Sequence, residues 1–122
     1  MPKDIELKIY MPEKVVLNDF IYRAILPFDN KTITVLKDRA PTLISLDMGI
    51  IEILNEDFQV VDQWFIANGI ADIKQNTCTI FTEACFNKRE LNLDTIKHLN
   101  EEFPNPFYEW LVKYFEKQEV HK

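Results

Sequence analysis

Residues 5–18 read IELKIYMPEKVVLN, and this segment decides the fold. Apolar residues occupy every second position from Ile5 to Ile9, which is the period of a strand with one buried face. The residues Met-Pro-Glu-Lys at 11–14 then supply a turn, and Val15 starts a second apolar run. The segment therefore predicts two strands joined by a tight connection at the start of a β domain.

The period of two continues to about residue 90. Threonines alternate with apolar residues in the segments 32–35 and 77–80, so each segment predicts a half-buried strand. Turn-forming residues recur between strands at a spacing that favours antiparallel meanders over strand-helix-strand units. These turn signals lie at Asp29-Asn30, Asp47-Met48-Gly49, Asn55-Glu56-Asp57, Asn68-Gly69 and Gln75-Asn76. The expected architecture is an antiparallel β-sandwich or flattened barrel.

Glycine is scarce, with two residues in a chain of 122. Tight turns need positive φ, which asparagine and aspartate tolerate better than most non-glycine residues. We therefore expect Asn and Asp to occupy several left-handed positions, Asn68 among them. Asn68 and Gly69 together predict a primed turn in a hairpin over Ile66–Ile73, with a structural role.

The pattern changes near the C-terminus, after Arg89. Asn92 can cap a short helix whose apolar residues follow a three-to-four spacing, and Pro104-Asn105-Pro106 ends that helix. The Asn-Pro pair of the same tripeptide suits the N-cap and first position of a second helix. We therefore expect a sandwich at residues 1–87 and a short two-helix hairpin at 88–122.

The charge balance restricts the partners. With 20 acidic and 14 basic residues the formal net charge is −6, and a surface of that sign repels phosphate backbones and anionic lipid. This argues against nucleic acid as a partner. The N-terminus lacks the basic flank and apolar run of a signal peptide, and no stretch approaches the length of a membrane span. We expect a cytosolic chain without direct membrane insertion.

Residues with catalytic or metal-binding chemistry are few and scattered. Cys78 and Cys85 have no histidine nearby, and both are expected to be inert, with Cys78 in the core. His98 and His121 lack a neighbouring nucleophile or ligand. No glycine-rich stretch could cradle a phosphate. The sequence therefore predicts no enzyme, no cofactor and no metal site.

Six short sequence segments follow one another in the β region. They are the opening strands at 5–16, Ile25-Leu26-Pro27, Arg39-Ala40-Pro41, LDMGI at 46–50, IANGIADI at 66–73 and TIFTEA at 79–84. In this order and spacing they resemble the epsilon subunit of bacterial F-type ATP synthases. The resemblance implies a non-catalytic rotor subunit that links the gamma shaft to the ring of c subunits for proton-coupled ATP synthesis. It also implies a peripheral position on the cytoplasmic side of the inner membrane.

A different class of function is the alternative. A stand-alone β-sandwich module that has diverged from this family, and that recognises another protein, would have the same strands and the same lack of chemistry.

The resemblance also implies an interface with the rotor ring. The turn from Lys37 to Pro41 stands where the family has the turn that faces the ring. Asp38 and Arg39, with the neighbouring segment Asp29-Asn30-Lys31, would then contact the polar loops of the ring. Mixed charges in a rigid turn suit such a polar interface, although they equally suit a solvated hairpin turn.

The second helix predicts another contact surface. Its aromatic stripe includes Trp110 and Tyr114. The stripe has more large apolar side chains than a solvent-exposed surface helix usually carries. By resemblance these residues would dock on the gamma shaft; they could also pack on the chain's own sandwich or first helix. A membrane-surface helix is a third possibility, which the equal acids and bases of its polar face disfavour.

Some bacterial epsilon subunits bind ATP through Ile/Leu-Asp-x-x-Arg-Ala at the start of the hairpin. Here residues 93–99 read LDTIKHL, so only the Leu-Asp start is retained. A lysine does not reproduce the planar fork with which arginine grips phosphate, and Pro104 and Pro106 interrupt the hairpin. We expect no specific ATP binding and weak or absent braking of hydrolysis by the hairpin.

Overall fold

The computed structural model describes residues 3–120, which divide into two compact units. The first unit ends at Asn87 and the second begins at Lys88. Strands of the first are β1 (Ile5–Met11), β2 (Lys14–Ile21), β3 (Arg23–Phe28), β4 (Lys31–Val35), β5 (Thr42–Leu46), β6 (Gly49–Leu54), β7 (Val60–Ile66), β8 (Gly69–Lys74), β9 (Thr77–Thr82) and β10 (Cys85–Asn87). The second has a 3-10 turn at Lys88–Glu90, then helices α1 (Leu93–Glu102) and α2 (Pro106–Val120). The expected fold class, mainly β with a helical appendage, is confirmed.

The strands form two five-stranded sheets around one apolar core. Sheet 1 has the order β2-β1-β9-β8-β5, and sheet 2 has the order β10-β7-β6-β3-β4. The pairings are antiparallel except for β1 with β9, which run parallel with Ile9 opposite Ile80. Ile5, Leu7 and Ile9 are buried, as their alternation predicts. The parallel pair departs from a simple antiparallel meander, because it joins strands from opposite ends of the sandwich sequence.

Both cysteines are buried. Burial raises the pKa of the Cys78 thiol from 9.0 to about 12, and the negative charge of Asp72 adds to the shift. The thiol therefore stays neutral at physiological pH and packs as a small apolar side chain.

Asparagine and aspartate occupy several left-handed positions, as expected. The angle φ is 51° at Asp29, 58° at Asn30, 61° at Asp38 and 60° at Asn76. Asp29 and Asn30 form a two-residue connection between β3 and β4, whose ends Phe28 and Lys31 pair. Positive φ at both central residues matches the right-handed twist of the paired strands.

The prediction of a primed turn at Asn68-Gly69 is wrong. Neither residue has positive φ. The flanking strands β7 and β8 belong to different sheets, so the chain crosses between sheets here and forms no hairpin. A Cβ atom on Gly69 would lie 2.3 Å from the backbone oxygen of Phe81. Gly69 is therefore required because two backbones approach closely.

Each helix of the second unit starts at an asparagine that the sequence predicts as its cap. The Asn92 side chain accepts the N–H of Thr95 at 2.9 Å, and the Asn105 side chain accepts the N–H of Tyr108 at 2.9 Å. These bonds satisfy orphan donors at the starts of α1 and α2. The two helices pack on each other. Neither is long and apolar enough to cross a membrane.

Candidate functional site

The β3–β4 tip consists of Asp29, Asn30 and Lys31, all exposed. The N–H of Asn30 donates to the carboxylate of Asp47 at 2.9 Å. The N–H of Asp47 donates in turn to the carbonyl oxygen of Pro27 at 3.1 Å. The β5–β6 connection thus braces the tip, which presents one acid, one amide and one base on a rigid turn.

The second predicted segment, around Asp38 and Arg39, is tied to its own sandwich. The N–H of Asp38 donates to the side chain of Asn76 at 2.6 Å. Arg39 is half-buried, and its Nη1 donates to the carbonyl oxygen of Thr34 at 3.1 Å. These two residues therefore hold the turn together, and the guanidinium is only partly available to a partner.

The structure separates the two segments that the sequence analysis places side by side. Strand β4 runs from the tip to the Asp38 turn, and a five-residue strand spans about 16 Å. The tip lies beside Asp47 at one end of the sandwich, while Asp38 lies beside Asn76 at the other. The two segments lie at opposite ends of the sheet, because a hairpin places its turn and its open end at opposite ends, and the contact of both with the ring stays a prediction.

The outer face of sheet 1 carries an apolar row that the sequence analysis did not find. Val15, Tyr10, Phe81 and Ile70 are direct neighbours across β2, β1, β9 and β8. Val15, Phe81 and Ile70 are 58, 51 and 49% exposed, and the rings of Tyr10 and Phe81 stack with their centroids 5.6 Å apart. Contiguous exposed apolar surface on a folded domain is typical of sites that contact proteins, ligands or membranes.

A groove of about 560 Å³ adjoins the row. Its lining includes Met11, Leu46, Gly69 and Thr82, together with members of the row. Exposed Leu43 on β5 extends the apolar surface. A signal existed in the sequence: Phe81 and Ile70 stand on the polar side of strands whose alternation is otherwise regular. Their adjacency was not visible, because it depends on the register of four strands.

Trp110 and Tyr114 are partly buried on α2. Their rings stack with centroids 5.8 Å apart, and Trp110 also stacks on Phe107 at 6.3 Å. The aromatic stripe is therefore an ordered ladder along one side of the helix.

Residue types that bind metals are scattered over the described part of the chain. Within 3–120, no three His, Cys, Asp or Glu side chains are grouped to hold a metal ion. His98 lies on α1 with its Nε2 2.9 Å from a carboxylate oxygen of Glu102, and His121 lies outside the described residues. A braced polar tip and an exposed apolar face are features that are common at protein-protein contact sites.

Comparison with known proteins gives the family. Residues 4–88 match the family model described as ATP synthase, Delta/Epsilon chain, beta-sandwich domain. The chain belongs to the ATP synthase delta/epsilon chain family.

Two curated relatives are both ATP synthase epsilon chains. The one from Gluconacetobacter diazotrophicus is 31% identical over 90 residues, a match that covers 74% of this chain and 63% of the relative. The one from Pelagibacter ubique is 26% identical over 100 residues, covering 81% of this chain and 75% of the relative. The chain thus spans less than two thirds of the first relative.

Solved structures share the fold. A chain in the mitochondrial ATP synthase of Euglena gracilis, solved as OSCP/F1/c-ring, aligns with a TM-score of 0.69 at 20% identity, covering 99% of this chain and 82% of that one. A chain in the central stalk/c-ring of the Tetrahymena thermophila mitochondrial enzyme aligns with a TM-score of 0.62 at 16% identity, covering 94% and 96%.

Proposed function

We propose that this chain connects the gamma shaft of the central stalk to the ring of c subunits in an F-type ATP synthase, on the cytoplasmic face of the membrane. Family membership supports this role, as does the fold shared with a chain of a central stalk/c-ring assembly. The observation that carries the proposal is the apolar row on the outer face of sheet 1, because a coupling subunit needs a firm docking surface and no chemistry of its own.

The apolar row is the proposed gamma-binding surface. Fully burying a large apolar side chain contributes about 1.5–3 kcal/mol, so three half-exposed side chains and a stacked tyrosine supply the centre of a stable interface. Phe81 lies in the middle of the row, between Tyr10 and Ile70. The partly buried ladder of Trp110 and Tyr114 is a second proposed gamma contact.

The β3–β4 tip is the proposed ring contact. Its charged side chains are exposed and its backbone is braced by Asp47, which suits a polar surface that transmits torque. The Asp38 turn supports this role less well, since Arg39 bonds to its own strand. We keep Asp38 and Arg39 as a secondary contact for a partner at the opposite end.

The direct test is gel filtration of the chain co-expressed with the gamma subunit of its own ATP synthase. We expect a one-to-one complex without ATPase activity. The substitution Phe81→Glu should weaken it by at least about 30-fold, which corresponds to the loss of a hot-spot side chain of ~2 kcal/mol.

The matched control is Phe103→Glu, which places the same charge on an exposed phenylalanine at the end of α1. This variant should bind gamma as the natural chain does. Separate elution of the natural, folded chain from gamma at micromolar concentration would refute the proposal and favour a stand-alone binding module.

A further inference from the structure

The outer face of sheet 1 has a charged half beside its apolar row. The side-chain nitrogen of Lys8 lies 3.7 Å from a carboxylate oxygen of Glu6 on β1, and that of Lys74 lies 3.8 Å from a carboxylate oxygen of Asp72 on β8. The two acids and two bases sum to zero charge, although the chain as a whole carries −6. These four residues therefore add no repulsion toward a second acidic chain.

The strand register arranges the four charges in two rows across the sheet. Each row has one charge on β1, a threonine on β9 and the opposite charge on β8. The rows are Lys8, Thr79 and Asp72, and then Glu6, Thr77 and Lys74. Base and acid of a row stand about 10 Å apart, on the two sides of β9, and their order is reversed between the rows.

This arrangement is complementary to itself. Strand β9 is the middle strand of sheet 1, with β1 and β8 on either side. A two-fold axis along β9, between two copies packed face to face, places β1 of each copy opposite β8 of the other. Lys8 then faces Asp72 of the second copy and Glu6 faces its Lys74, and each contact occurs twice. An isologous dimer requires a surface of this kind.

The apolar row obeys the same symmetry. Phe81 lies on β9 and is 51% exposed, so the Phe81 rings of the two copies meet at the axis. Tyr10 on β1 faces Ile70 on β8 of the second copy. Sheets that pack face to face keep their strands within about 30° of each other, which leaves positions next to the axis opposite one another. The contact buries apolar side chains and pairs the charges beside them.

The size of the face sets the strength of the contact. Five strands with about six residues each cover an area of about 20 by 20 Å, so each copy contributes about 400 Å². Stable interfaces bury about 800 Å² per partner. We therefore expect weak self-association, with a Kd on the order of 0.1 mM.

We infer that the outer face of sheet 1 is a self-association surface, through which two copies of this chain form a weak two-fold dimer. The inference rests on the proposed function in one respect only. The dimer covers the row proposed for gamma, so gamma binding and self-association exclude each other.

The test is sedimentation equilibrium of the full-length chain alone, from about 0.01 to 1 mM. Asp72→Lys places two lysines opposite each other at both symmetric contacts, and Lys8→Asp places two aspartates there. Each variant alone should dimerise at least about tenfold more weakly than the natural chain. A matched control is Asp57→Lys, which makes the same change of charge at an exposed position of the β6–β7 connection and should dimerise as the natural chain does.

Mixing the two variants provides the decisive measurement. A heterodimer of the Asp72→Lys and Lys8→Asp chains has opposite charges at both contacts, so the mixture should associate within about threefold of the natural affinity. General loss of structure in either variant does not produce this recovery.

The natural chain overturns the inference if it stays monomeric throughout the range. Variants that dimerise as well as the natural chain, or that fail to associate when mixed, overturn it as well. These samples contain no gamma, so a chain that dimerises and does not bind gamma contradicts the proposed function alone. Loss of the dimer on addition of gamma supports the shared surface, and a dimer that binds gamma without dissociating overturns it.

Discussion

At the scale of single residues, Gly69 allows the backbones of β8 and β9 in sheet 1 to approach each other closely. Gly69 leaves no room for a Cβ atom against the Phe81 carbonyl, so Gly69→Ala must push β8 away from β9. We expect a loss of about 1–3 kcal/mol in the free energy of unfolding, the usual cost of overpacking. Urea denaturation followed by circular dichroism measures it.

Asn68→Ala provides the control for Gly69. Asn68 is exposed and lacks positive φ, so its replacement should change the free energy of unfolding by less than about 0.5 kcal/mol. If Asn68→Ala is as damaging as Gly69→Ala, local turn conformation and not close backbone approach explains this segment.

The ionisation of the Cys78 thiol should make the free energy of unfolding depend on pH in the alkaline range. Its pKa is raised from 9.0 to about 12 by burial and by Asp72. Above pH 9 the unfolded chain loses the thiol proton while the native chain keeps it, so the native state binds more protons. The contribution of the Cys78 thiol to the free energy of unfolding is fully present below pH 9. It is lost between pH 9 and 12, with a slope of up to about 1.4 kcal/mol per pH unit.

The measurement for Cys78 compares urea unfolding of the natural chain and Cys78→Ala from pH 7 to pH 10.5. The difference in unfolding free energy between the two should be constant up to about pH 8 and should shrink above pH 9. A difference that does not change across this range would show that the thiol titrates normally in the folded protein.

At the scale of elements, the short strand β10 decides where the sandwich ends. Asn87 pairs with Trp64, and its side chain donates to Asp62 at 2.9 Å. A chain ended after Asn87 keeps these contacts and should unfold cooperatively, as an independent sandwich would. A chain ended after Ala84 lacks β10, uncovers β7 and should aggregate or unfold at lower temperature.

Thermal unfolding followed by circular dichroism separates these two truncations. An insoluble or unfolded chain after the Asn87 cut would mean that residues 88–122 are required for the sandwich core, and that the chain is one folding unit.

At the scale of the whole molecule, the two polar segments lie at opposite ends of the sandwich, so they cannot share one flat partner. We predict that a cysteine introduced as Asp29→Cys cross-links to the c ring in native membranes, whereas Asp38→Cys does not. Both native cysteines are buried, so the introduced thiol should react selectively. Cross-linking from position 38 alone would invert the proposed orientation.

The sequence by itself determined the local structure. Alternation in β1, the Asp29-Asn30 turn, the asparagine caps of both helices and the change of period after Arg89 are all readable, because each depends on the φ and ψ preferences or periodicity of adjacent residues. The ordered family segments in the β region also identified the family.

Only the tertiary structure decided which segments meet. The parallel pairing of β1 with β9 and the apolar row both follow from strand order and register. Gly69 shows the difference within one residue: its local sequence suggests a turn, while its actual constraint is the carbonyl oxygen of Phe81. Register is set by packing between distant strands, and local periodicity carries no information about which strand lies beside which.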